Sequence, residues 1–178
     1  DRSIEPAPLA SRDSMISRVY YDLIGLPPGY EEVTEFRNNQ TPLAYQRLVE
    51  RLLSSPRFGE RWGRMWLDVA RYSDTKGYLF TEDRSYTHAY TYREWVIGAW
   101  NFDLPYDQFI KYQLAADQLP PLPFGADARA AMGFLTLGRR FLNNRHDIID
   151  DRIDVTMRGM MGLTVTCARC HDHKYDAI

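Results

Sequence analysis

Two cysteines and a histidine near the C-terminal end carry the residue types and spacing that could do chemistry: Cys167-Ala168-Arg169-Cys170-His171. C-x-x-C-H is the attachment signal of a c-type haem. Each thiol adds across one porphyrin vinyl group, and the adjoining imidazole becomes an axial ligand of the iron. Two intervening residues let both sulfurs reach the vinyls while His171 sits beneath the metal. The residues before the motif are then expected to be mainly a shell that buries the cofactor. The chain has no further cysteine, so a four-cysteine zinc site is excluded. A zinc knuckle of Cys167, Cys170, His171 and His173 would crowd its tetrahedral ligands into one short stretch. A redox disulfide is the remaining use of the pair, but a thioredoxin-like site belongs in a βαβ setting that the sequence lacks.

A second axial ligand must come from the opposite haem face. His173 is too close in sequence to His171 to reach around the porphyrin edge. His146, just before the last helical pattern, is the candidate distal ligand. An open or water-bound position and a thioether from Met157, Met160 or Met161 are the alternatives. Ile149, Ile153, Met157 and Met160 fall on one helical stripe, which reads as core. His88, in a polar stretch, is a weaker candidate and otherwise an exposed loop histidine. Arg139 and Arg140 could bind haem propionates through guanidinium–carboxylate forks, or be an exposed basic pair at a helix end. Asp150, Asp151, Asp154 and Arg158 read as a solvated helix face with i,i+4 pairs rather than a calcium site. Arg61, Arg64, Asp68, Arg71 and Asp74 read as an ion-pair network along one helix. Asp172 and His173 are expected to fix the ring orientation or a local turn.

The elements that must position these groups are helices. Ser11 caps a first helix with Met15, Val19 and Leu23 on one stripe, and Gly25 followed by Leu26-Pro27-Pro28 ends it. A short helix opens with Glu31 and Glu32 near its positive end. Thr41-Pro42 is the expected start of a third, running to about Ser54. Ser55-Pro56 repeats that signal and opens the longest pattern, through Trp62, Met65, Trp66, Val69 and Ala70. Ser73 to Ser85 is polar without periodicity and reads as a long loop. Further helices are expected over Tyr90–Trp100, from beyond Leu104-Pro105 to Asp117, over Ala126–Leu137 up to Gly138, and over Asp147–Gly162. Leu119-Pro120-Pro121-Leu122-Pro123 is a rigid connector. Leu163–Thr166 is too short to assign. The expected fold is all-α: a single mostly helical domain over residues 1–178, with long loops enclosing a covalently attached haem.

The bulk numbers agree with one soluble globular domain: 178 residues, 44% hydrophobic, 26% charged. The net charge of −2 gives no electrostatic footprint for nucleic acid, and no apolar run is long enough for a membrane span. Twelve Tyr and four Trp would suit a cofactor pocket or a helical core equally well. The first residues contain neither a signal peptide nor an initiator Met, and the sequence stops soon after the motif. The chain is therefore read as a processed or excised piece of a larger protein.

Several phrases together carry a family resemblance. Gly59-Glu60-Arg61-Trp62-Gly63-Arg64-Met65-Trp66-Leu67-Asp68-Val69-Ala70-Arg71-Tyr72 resembles a signature of the planctomycete-type cytochrome c family, a PSCyt-type domain of unknown function in large secreted proteins. Asp22-Leu23-Ile24-Gly25-Leu26-Pro27-Pro28 and Leu104-Pro105-Tyr106-Asp107-Gln108-Phe109 are similar to two further landmarks. Gly162 to Asp176 is similar to the family's haem-motif segment, and Asn143-Asn144-Arg145-His146-Asp147 resembles a version common among relatives. The resemblance runs from about Met15 to Ile178. It implies an extracytoplasmic protein with further domains upstream and downstream, and it supplies no reaction.

The function expected from these residues is a c-type cytochrome domain with one covalent haem c, transferring electrons outside the cytoplasm to an unidentified redox partner protein. It is more an electron carrier than a catalyst on its own. The alternatives are a haem enzyme or small-ligand sensor with an open distal site, or a haem-stabilised module in a secreted polysaccharide-handling protein. C-type attachment takes place outside the cytoplasm, which places the chain in the periplasm or beyond the cell.

Overall fold

The computed structural model describes residues 7–74, 86–125, 127–138, 144–172 and 174–175. Among them the chain is all helical, with eight α-helices and no strand. Backbone contacts gather into two compact units, Asp1–Arg61 and Trp62–Ile178.

The first unit holds α1 (Arg12–Leu23), α2 (Tyr30–Asn38), α3 (Ala44–Leu53) and the start of α4 (Pro56–Val69). Ser11 caps α1 as expected, its hydroxyl accepting from the Ser14 amide at 3.3 Å. Ile16, Val19 and Tyr20 of α1 meet Phe36 of α2 and the Ala44-Leu48-Leu52 stripe of α3 in a small apolar core. The expected start of α3 at Thr41-Pro42 is corrected by two residues. Asn39 Oδ1 accepts from both the Thr41 amide and hydroxyl, at 3.1 and 2.7 Å, so Thr41 ends a turn, and Leu43 precedes the first helical residue.

At the edge of this core Tyr20 donates to Glu32, while Glu32 also accepts the Gly29 amide at 2.7 Å and Arg51 donates to the Tyr20 oxygen at 3.0 Å. Burial pushes the Glu32 carboxyl up, but the bonds from Tyr20 and Gly29 and the charge of Arg51 outweigh it and hold the group below its ordinary value of 4.5. Burial, then the bond to Glu32, push the Tyr20 phenol up to about 12. A depressed carboxyl stabilises the fold above its ordinary value, and that stability is lost as pH falls through the lowered one. A raised phenol stabilises below its ordinary value of 10.0, and that contribution is lost as pH rises toward 12. Melting temperature against pH should therefore fall less steeply on the acid side in Glu32→Gln and on the alkaline side in Tyr20→Phe. Curves parallel to wild type would refute this.

The second unit holds the rest of α4, α5 (Tyr90–Asn101), α6 (Tyr106–Ala115), α7 (Gly133–Thr136) and α8 (Arg145–Met161), with 3-10 turns at Ala116–Gln118, Ala128–Met132 and Thr166–Arg169. The Pro56 start of α4 is as expected, but α8, at 17 residues, is the longest helix. Ala126–Leu137 is not one α-helix: its first half is a 3-10 turn that Asp127 opens by accepting the Arg129 amide at 2.9 Å. The expected loop over Ser73–Ser85 falls mostly outside the described residues.

Aromatic rings fill this core. Trp66 packs edge-on to Phe109 at 4.9 Å between ring centroids, and Trp95 stacks on Phe109 at 5.3 Å. Phe134 stacks on Trp66 at 5.7 Å, all at separations where ring quadrupoles add to burial. Gln113 is fully buried among them. Its Oε1 accepts from Trp66 Nε1 at 2.8 Å and from the Tyr92 hydroxyl at 2.7 Å, which satisfies two donors that could not otherwise be dry.

Candidate functional site

The last helix sets the site. Asn144 caps α8, its side chain accepting from the His146 amide at 3.1 Å. At the other end Gly162 adopts φ +68°, a left-handed conformation that costs glycine little. The Leu163 amide there reaches back to the Met157 carbonyl at 3.2 Å. The chain thus reverses and runs back along α8. Thr166 donates to Asp154 at 2.7 Å. Arg169 bonds Asp147 and Asp150, each at 2.6 Å. The 3-10 turn carrying Cys167 lies against α8 and advances toward the end where His146 sits.

Cys167 and Cys170 are free thiols, and both are exposed. The Cys170 amide donates to the Cys167 carbonyl at 3.2 Å, closing the motif into a tight turn. His171 is also exposed, with Nδ1 3.0 Å from the Asp172 carbonyl oxygen. A carbonyl only accepts, so this contact is a hydrogen bond in the tautomer protonated at Nδ1, the one whose neutral ring leaves Nε2 for a metal. The expectation that Asp172 orients the ring is met through its backbone. His173, Arg139 and Arg140 lie outside the described residues.

A cleft of about 600 Å³ opens beside the motif, lined by side chains of α8 together with Arg71, Val165, Thr166 and Arg169. None of its lining residues is aromatic. Of the two uses open to the aromatic residues, the packed core of the second unit takes many of them, and the motif lies on the surface.

The acidic row of α8 departs from the expected solvated face. Asp154 does pair with Arg158 four residues on, at 3.2 Å. Asp147 and Asp150, however, hold Arg169, and Asp151 holds Arg71 from the end of α4. Hydrogen bonding to Asp147 is the main cause that holds the Arg169 guanidinium above its ordinary range. Arg71 sits at φ +59°, a costly conformation for a residue with a Cβ. The expected network around Arg71 along α4 does not form as one unit: Arg71 turns to Asp151, and Asp74 pairs with Arg93 at 3.3 Å.

The apolar stripe read as core is also corrected. Ile149 and Ile153 are 42% and 50% exposed and Met161 is 61% exposed, while Val155 is the fully buried residue of α8. Met160 packs against the core and is no free thioether. Ile153 borders the cleft. His88 is exposed in the turn before α5, where it lines a separate hollow with Tyr86, Thr91 and Arg129. Among the described residues no group of three His, Cys, Asp or Glu is arranged to hold a metal ion. Nor is any helix there long and apolar enough to cross a membrane.

Sequence reading missed the role of Arg169 and gave Arg71 the wrong partners. A cation between the cysteines, with Asp147 and Asp150 spaced i,i+3 on a helix, was the available signal for the first. Nothing in the sequence marks Asp151 as the partner of the second.

Fold and site together define an all-helical protein with a surface C-x-x-C-H turn folded back along its last helix. The family model PSCyt2, protein of unknown function (DUF1549), matches residues 1–178, and the chain belongs to that family. No curated protein and no solved structure matches it.

Proposed function

We propose that this chain is a c-type cytochrome domain of the planctomycete type, holding one haem through Cys167 and Cys170 and passing electrons outside the cytoplasm to a partner protein or to other domains of the same polypeptide. One observation carries the reading: two free, exposed thiols in a single turn are followed at once by an exposed imidazole whose Nδ1 lies against the Asp172 carbonyl.

The residues present fit the group. Ile149 and Ile153 offer apolar surface to a porphyrin face. Arg71 Nε and Nη2 are buried donors without a partner, beside a cleft where a carboxylate is the natural acceptor. A bound haem would supply a one-electron iron couple. The chain's own part is to present the thiols, to fix the His171 tautomer through Asp172, and to keep the iron near the surface, where a partner can approach. His146 is the proposed distal ligand because the motif runs back along α8 toward its N-terminal turn, which Arg169 touches at Asp147.

The test is expression together with a c-type maturation system, followed by haem staining of a denaturing gel. The expected result is a stained band at the mass of the chain, lost in Cys167→Ala/Cys170→Ala; a colourless wild-type band sinks the reading. His146→Ala should turn a low-spin spectrum high-spin and let carbon monoxide bind the ferrous form rapidly. An unchanged low-spin spectrum rules His146 out as ligand.

A further inference from the structure

A 3-10 turn has three residues per turn, so residues i and i+3 lie one above the other. Within Thr166–Arg169 this sorts the motif into faces. Thr166 and Arg169 share one face, and both reach α8: Thr166 bonds Asp154 and Arg169 bonds Asp147 and Asp150. Cys170 closes that turn, its amide bonding the Cys167 carbonyl at 3.2 Å, and both cysteines are exposed. The charges decide what kind of contact this is. Four carboxylates of α8, Asp147, Asp150, Asp151 and Asp154, meet three guanidiniums, Arg71, Arg158 and Arg169, and each guanidinium is engaged. The row is balanced to within one charge, which suits a docking strip better than a site for a free ion.

We propose that Arg169 is a positioning residue: its two-carboxylate latch on Asp147 and Asp150 docks the motif onto α8 and so turns both thiols outward on one edge, where a single group can bridge them. The first arm of the test below is independent of haem; the second rests on the haem reading. Arg169 is 48% exposed, and its partners are 25% and 36% exposed. Pairs this exposed contribute little to global stability, so the latch governs where the motif lies and not whether the chain folds.

Arg169→Gln and Arg169→Lys separate these roles. In the haem-free chain, amide exchange over 166–172 should quicken severalfold in the Gln variant and less in the Lys variant, as expected when an exposed ionic tie is cut. The global unfolding midpoint should not move. Equal exchange in wild type and Gln variant overturns the latch. After co-expression with a maturation system, haem-stained yield should drop severalfold in the Gln variant and recover with Lys. Faster exchange with undiminished yield would overturn the positioning role while leaving haem binding intact. A wild type that takes no haem would sink the functional reading, and the exchange arm would still decide the latch.

Discussion

Arg71→Ala is expected to destabilise the second unit by about 2–3 kcal/mol and to free α8 from it. Removing one member of a buried ion pair strands the other charge, at about 3–5 kcal/mol when burial is complete. Here the side chains of Arg71 and Asp151 are 23% and 12% exposed, which lowers the figure. The site is built around this pair. A Cβ on Gly138 would collide with Asp151 and lie 2.8 Å from Arg71 Nη2, so a larger residue there must push one end of the pair aside. Denaturant unfolding of Arg71→Ala, Asp151→Ala and the double variant checks the claim. The double variant should lose less than the sum of the two single variants, because no unpaired charge remains. Arg71→Gly should be about 0.5–1 kcal/mol more stable than Arg71→Ala, since glycine relieves the left-handed strain and returns part of it as chain entropy. A wild-type midpoint for Arg71→Ala would discard the argument.

Phe134→Ala should cost more, about 3–5 kcal/mol. Phe134 is fully buried and stacks on Trp66. It also supports α8: a Cβ on Gly159 would stand 3.3 Å from the Phe134 ring and 3.1 Å from Val69, so that stretch of α8 rests directly on this ring. α8 offers the core a single fully buried side chain, Val155, and an emptied ring position next to it leaves the helix with little apolar support. Thermal melts should show the loss, and Phe134→Leu should recover most of it. A shift of only a degree or two in Phe134→Ala would show that the site collapses without cost.

What could be read in the sequence was local. Ser11, Pro56 and Gly162 mark helix ends through hydroxyl, ring and missing side chain, and each acts where it stands. The C-x-x-C-H residues were equally legible, since two thiols and an imidazole at fixed spacing are a chemical statement by themselves. The partners of Arg169 were not legible, because Asp147 and Asp150 lie about twenty residues back and meet it only after the chain reverses at Gly162. Nor was the burial of α8: Ile149–Ile153 and Val155–Gly159 are competing stripes on one helix, and only the position of Phe134 decides which faces inward. The 3-10 turn at Ala128–Met132 runs against alanine's helix propensity; its buried Ala128 and Ala131 stand three residues apart, the spacing that a 3-10 turn stacks on one face.

The aromatic core closes without any atom of Cys167, Cys170 or His171. The arm beyond Gly162 is held to α8 chiefly by charges and a hydroxyl. Arm and core are therefore separable in the order of the protein's assembly: the body can finish folding while the thiols are still within an enzyme's reach, and whatever they come to hold is fitted to a completed structure. On the proposed haem reading, loading is a late step and the chain without haem is a folded intermediate.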